Sequence, residues 1–152
     1  MTASLEYYTM LSLRKKLVDS GIISPVLTPG YRGAASQSED DWAAIDIVSI
    51  VRRPARRGSW KGEVIFQVSL FSRTAEYRSD GKSLDIWNIA SLIRAEFETE
   101  FSITKIGAGG AYAGTLSVGE GDLLPLPERR LGDAPEGVHG VVVSFNGMMT
   151  AA

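Results

Sequence analysis

The clearest pattern of apolar and polar positions lies in residues 61–73, and it has a period of two. One side of the extended chain would carry Val64, Phe66, Val68 and Leu70, and the other Ile65, Gln67, Ser69 and Phe71. Successive side chains of a β-strand point to opposite faces, so this alternation predicts a β-strand.

Residues 42–53 precede this strand and are apolar on both sides. Alternation places Ile45, Ile47 and Val51 on one face and Val48 and Ile50 on the other. A strand that is apolar on both faces is typical of the centre of a sheet. We therefore expect residues 42–53 and 61–73 to form a long β-hairpin, with its first arm in a central position. Asp46 is a polar exception whose role the sequence does not decide.

Two segments have apolar residues three and four positions apart, which predicts helices. The first is residues 4–20, with Ser4 as a candidate N-cap and Gly21 as a candidate left-handed stop. The second is residues 83–99, which Ser83 would cap. Its predicted buried face consists of Leu84, Ile86, Trp87, Ala90, Ile93 and Phe97.

Shorter segments complete the predicted fold. We expect an extended segment at 22–27, strands at 101–106, 111–118 and 138–146, a glycine-rich turn at 107–114, and exposed loops at about 28–41 and 119–137. The last six residues, GMMTAA, predict no element. This order predicts an α+β fold: a mainly antiparallel sheet with a long β-hairpin and two helices packed on one face.

Composition narrows the class of protein. A chain of 152 residues with 44% hydrophobic residues predicts one globular domain, residues 1–152. The net charge of −2 favours neither attraction nor repulsion of nucleic acid as a whole. No apolar run approaches the roughly 20 residues of a membrane helix. The first ten residues lack the pattern of a signal peptide, so we expect synthesis in the cytoplasm and no membrane partner.

Motifs for catalysis and cofactor binding are missing from the sequence. The chain has no cysteine and one histidine, His139, so a zinc site would need an uncommon set of ligands. Residues 107–114 lack the lysine of a phosphate-binding loop, and no Gly-x-Ser-x-Gly motif occurs. A catalytic pair of carboxylates, as in glycosidases, stays an open alternative, because a sequence does not give the distance between two side chains. We expect no enzyme, no cofactor and no metal.

The two predicted loops carry residues that we expect to contact a partner protein. They are Glu39, Asp40 and Asp41 in the first loop, and Leu123, Leu124 and Leu126 in the second. The three adjacent acids lack the spacing and the glycine of a calcium loop, which favours a solvated surface over a metal site. The leucines make the second loop too apolar for a free linker.

The predicted hairpin tip is the strongest cluster of charge. It contains Arg52, Arg53, Arg56, Arg57, Trp60 and Lys61. Arginine beside an aromatic residue is typical of protein interfaces, and also of nucleic-acid contacts. A solvated tip whose charges oppose aggregation is equally compatible with the pattern, and a short nuclear localisation signal also fits it.

One stretch resembles a known family. The matching residues are Val68, Leu70 and Phe71 at the end of the second arm, then Ala90, Ile93, Arg94, Ala95 and Phe97 in the second helix. They resemble the tail terminator proteins of long-tailed (siphovirus-like) bacteriophages. The resemblance covers residues 42–118 and the first helix, and it does not extend to the loop at 119–137.

This resemblance implies an α+β subunit that assembles with itself into a ring, typically a hexamer, in the virion neck. Such a ring caps the tail tube protein, ends its polymerisation and joins it to the head–tail connector protein, while genomic DNA passes through the channel. Residues 52–61 would then contact a neighbouring subunit or face the channel. Another neck or connector protein, or a small nucleic-acid-binding module that uses the basic tip, are the alternatives.

Overall fold

A computed structural model describes residues 4–23, 26–27, 41–54, 60–73, 82–125 and 138–151. Within these ranges, two helices and seven strands follow one another. They are α1 (Leu5–Ser20), β1 (Val26–Leu27), β2 (Asp41–Pro54), β3 (Trp60–Arg73), α2 (Lys82–Phe97), β4 (Glu100–Thr104), β5 (Tyr112–Val118), β6 (Asp122–Pro125) and β7 (Val138–Ala151).

The strands form one sheet in the order β1-β2-β3-β7-β5-β4, and β6 pairs with β7 beside β5. All pairings are antiparallel except that of β1 with β2, which spans only two residue pairs. Strands β2 and β3 pair from Asp41 with Ser72 to Pro54 with Trp60. The α+β class, the mainly antiparallel sheet and the long hairpin are therefore confirmed.

Helix α1 begins and ends as its sequence predicts. The Ser4 hydroxyl accepts a hydrogen bond from the Tyr7 amide at 3.2 Å, which satisfies one of the free donors of the first turn. Gly21 has a φ of 65°, and its amide donates to the carbonyl of Val18 at 3.2 Å. This left-handed residue ends the helix at little steric cost because glycine has no Cβ.

Both helices pack on the same face of the sheet, as predicted. The four residues that alternation places on the first face of β3 are fully buried, together with Leu13 and Leu17 of α1 and Ile93 of α2. Three aromatic rings form the centre of this core: Phe66 lies 4.8 Å from Phe145 and 5.5 Å from Phe97, between ring centroids. Such a cluster gives the large apolar burial on which a small domain depends.

A β-bulge in β2 corrects the predicted faces of the first arm. The register shifts between Ile47 and Ser49, so the alternation changes by one residue beyond this point. Ile50 consequently packs against the core, and Val51 is 46% exposed on the opposite face. The prediction that Val51 shares a face with Ile45 was wrong, because it assumed an unbroken period of two.

Strand β2 is not central in the sheet, although it is apolar on both sides. Strand β1 covers only the stretch at Ala43 and Ala44. Apolar residues of β2 are also buried on the face opposite the helices. There Trp42 stacks on Phe71 with 5.4 Å between ring centroids, and both side chains are buried. The sheet thus has a small second core at this end.

Four further predictions need correction. Residues 122–125 of the predicted loop 119–137 form β6 along β7. Strand β7 continues through the tail to Ala151. Met149 in this tail is fully buried, and its Sδ accepts a hydrogen bond from the Thr9 hydroxyl at 3.4 Å. Strand β4 ends at Thr104, because a tight turn begins at Lys105. Trp87, predicted to be buried, is 38% exposed.

Candidate assembly surface

The face of the sheet opposite α1 and α2 is exposed at the far end of the hairpin. Residues paired across antiparallel strands share a face, which gives two rows across the sheet. The first row contains Arg53, Lys61, Thr150, Thr115 and Ser102, and the second contains Val51, Glu63, Met148, Ser117 and Glu100. We call these two rows the open face.

The open face has an apolar centre. Val51 and Met148 are 46% and 49% exposed and lie on either side of Glu63 in the second row. Ile65, the next residue of β3 on this face, is half-buried, and Val48 in the bulge is also exposed. Exposed apolar side chains on one face, interspersed with polar residues, are typical of a protein contact surface.

Two cations lie at one side of the open face. Arg53 and Lys61 are cross-strand partners and both are exposed. Like charges in this position repel each other. In the part of the chain that the structure describes, neither forms an ion pair. Both remain available to an anionic partner.

Glu63, the nearest carboxylate on this face, already has a hydrogen-bond partner. The side-chain amide of Asn146 on β7 donates to its Oε1 at 3.0 Å. This bond holds the carboxylate towards β7, away from the outer edge of β2. The basic character of the β2 side of the open face is therefore preserved.

The sheet ends in two edges of different charge. Within the described ranges, no strand pairs with the outer edge of β2 between Ile45 and Pro54, or with the outer edge of β4. The first edge carries Arg53, and the second begins at the exposed Glu100. Unpaired edges expose backbone donors and acceptors that can add a further strand.

The end of the open β4 edge is hydrogen-bonded to helix α1. The Ser12 hydroxyl of α1 donates to the Thr104 carbonyl at 3.4 Å and accepts from the Thr104 amide at 3.2 Å. The Thr104 carbonyl also accepts from the amide of Ile106 in the following turn, at 2.9 Å. The remaining outward groups of β4 have no such partner among the described residues.

A cleft of about 400 Å³ lies between α1 and β4. Its charged groups are paired: Lys15 with Asp19, and Lys16 with Glu96 at 3.6 Å. The Lys16 ammonium also lies 4.8 Å from the centre of the Phe101 ring, a cation–π contact. Because these charges balance each other, the cleft attracts neither anions nor cations strongly. Ser102 of the β4 edge lies in the wall of the cleft.

The structure places only part of the predicted site. Arg53 and Lys61 lie on the open face, while the backbones of Arg52 and Trp60 pair with Gly62 and Pro54 at the end of the hairpin. Arg56 and Arg57 lie outside the described residues, as do Glu39, Asp40 and Leu126. Asp41 begins β2, Leu123 packs against the core, and Leu124 is half exposed.

Sequence reasoning missed Met148, Asn146 and Glu100. The first two lie in or next to the tail, where alternation with the buried Met149 was the available signal. Glu100 lies between the helix predicted at 83–99 and the strand predicted at 101–106, and the sequence assigned it to neither. The described residues contain no group of three metal-ligating side chains, and none of their helices is long and apolar enough to cross a membrane. No protein-family model matches this chain, and neither does any curated protein.

Proposed function

We propose that this chain is a structural virion protein, a phage tail terminator. It assembles into a ring, typically a hexamer, that caps the tail tube, ends its polymerisation and joins it to the head connector. The observation that carries the proposal is the open face: an apolar centre at Val51 and Met148 beside the unpaired cations Arg53 and Lys61. This surface fits protein contact better than a small-molecule site.

The residues that carry the family resemblance support the same proposal. Leu70, Ala90, Ile93 and Phe97 are four of the matching residues, and all four are buried in the core. This burial is compatible with the α+β subunit that the resemblance implies. In a ring, the open face meets a neighbouring subunit or the tail tube, and modest net charge lets DNA pass without being held.

The test is assembly of the purified chain, measured by native mass spectrometry and negative-stain imaging, with and without tail tubes. We expect rings, and tubes that stop growing when the protein is added. Met148→Lys would place a charge in the apolar centre and abolish ring formation or capping. Leu92→Lys, at an equally exposed position on α2, is the matched control and should leave both intact.

A strict monomer at high concentration that also fails to cap tubes would overturn the proposal. Rings that bind a head connector but never a tail tube would instead favour another neck protein. Salt-sensitive DNA binding by the monomer that is lost in the double variant Arg53→Ala, Lys61→Ala would favour the nucleic-acid-binding module.

A further inference from the structure

We propose that the open edge of β4 pairs with the open edge of β2 from a second copy of this chain, so that the sheet continues from one copy to the next. The inference deepens the proposed ring and rests on it, because it names the contact that would build the ring.

The backbone of β4 is oriented for such pairing. Thr104 directs its amide and carbonyl outward, since both bond to Ser12 of α1 and not to β5. Backbone groups of alternate residues in a strand point the same way, so Ser102 and Glu100 also direct theirs outward. Ser102 is exposed in the wall of the cleft, which leaves room for an incoming strand.

The second edge has the length and direction to fit. Beyond Ala44, no described strand covers the outer side of β2 as far as Pro54. Four antiparallel pairings separate β2 from β4, so the two strands run in the same direction. When one sheet continues into the next, β4 and the second copy's β2 would therefore pair in parallel.

Charge selects a second copy as the occupant. Arg53 lies in the same row of the sheet as Ser102, and Val51 in the same row as Glu100. If these rows stay level across the contact, Arg53 of one copy lies diagonal to Glu100 of the other, within reach of a long side chain. Neither residue has an ion-pair partner among the described residues.

The contact joins two different surfaces of the chain, and this determines which assemblies it can form. A contact between unlike edges is heterologous, so it forms a ring if the rotation between copies closes, and a filament if it does not. A two-fold dimer would pair each edge with the same edge of its copy, and the contact between Arg53 and Glu100 would not form. Edge pairing thus predicts assembly beyond the dimer.

Backbone pairing is tested by Ser102→Pro in the full chain, with Ser102→Ala as the matched control. Proline removes the outward amide but no internal hydrogen bond, and edge strands tolerate it. In native mass spectrometry we expect Ser102→Pro to reduce the ring fraction at least tenfold and Ser102→Ala to retain it. The inference would be overturned if a correctly folded Ser102→Pro variant formed rings as the wild type does.

Charge reversal gives an independent test should the proline variant not fold. We expect Glu100→Arg and Arg53→Glu each to weaken assembly, and the double variant to restore it. Failure of the double variant to restore assembly, or no loss in either single variant, would overturn the pairing. Rings that obey this series without capping tubes would overturn only the tail terminator function, whereas capping rings insensitive to every variant would overturn only the edge pairing.

Discussion

The Ser12 hydroxyl bonds to both backbone groups of Thr104, donating to the carbonyl at 3.4 Å and accepting from the amide at 3.2 Å. One residue of α1 thus occupies the place that a neighbouring strand would take at this point of the sheet edge. The bond also fixes the helix against β4, because Ser12 is buried. It explains why a polar residue lies on the inner side of an otherwise apolar helix.

Ser12→Ala should lower the free energy of unfolding by about 1–2 kcal/mol, because it leaves the Thr104 amide without its partner and removes one of the two donors to the Thr104 carbonyl. The higher helix propensity of alanine offsets part of this loss. Urea denaturation measures the change, and hydrogen exchange should show faster exchange of the Thr104 amide. Ser91→Ala is the control: Ser91 is exposed on α2, where only its own helix carbonyl accepts its hydroxyl. Equal stability of the two variants would contradict the role of Ser12.

Gly121→Ala should destabilise the chain by about 1–3 kcal/mol, because the core has no space for the added methyl group. A Cβ at this position would lie 2.7 Å from Cε1 of Phe145 and 3.3 Å from Cγ of Arg94. At Gly119, two residues earlier, the nearest atom would be 3.8 Å away. Gly119→Ala should therefore change the urea midpoint little. Similar losses in the two variants would show that backbone freedom, and not packing against Phe145, sets the cost.

Phe71→Ala should cost about 3–5 kcal/mol, since it removes one ring of the buried stack with Trp42. Trp87→Ala should cost much less, on the order of 1 kcal/mol or below, because the Trp87 side chain is substantially exposed. Thermal or urea unfolding of both variants measures the difference. The opposite ranking would mean that the face opposite the helices contributes little to stability.

Lys61→Thr should stabilise the free subunit by up to about 0.5 kcal/mol, because it removes the repulsion of the cross-strand pair Arg53 and Lys61. The gain should disappear at roughly 1 M salt, where exposed charges are screened. Lys105→Thr, in the turn after β4, is the control and should show no salt-dependent gain. A gain that persists in high salt would point to strand propensity and not to charge.

Structural features that depend on residues close in the sequence were predicted better than features that depend on pairing between distant strands. The caps of α1, the alternation along β3 and the burial of Ile86, Ala90, Ile93 and Phe97 in α2 follow from single residues or from unbroken periods, and they were predicted correctly. Strand β6 has only four residues, two of them leucines, and it exists because β7 provides a partner edge. The extension of β7 into GMMTAA likewise depends on pairing with β3 and β5. Such long-range pairing leaves no periodic signal in a short segment.

The candidate surface was predicted only in part, for a similar reason. A run of arginines and lysine is visible in the sequence, so Arg53 and Lys61 were found. The contribution of Met148 becomes visible only when three strands align, because it lies far along the chain from Val51 and shares its face through β3. Trp87 was misplaced because helical spacing alone does not fix where the buried stripe ends.

The bulge between Ile47 and Ser49 sets a rule for how this hairpin can vary. Side chains alternate between the two faces of the sheet along each arm, and the extra residue of the bulge determines the face of every residue beyond it. A regular ladder in which Val48 paired with Ile65 would exchange the faces of Ile50 and Val51, whereas deletion of Val48 would remove the bulge and keep both residues on their present faces. Related chains that keep this sheet should therefore either keep the bulge or lack one residue at its position, with the same spacing from Ser49 to Pro54.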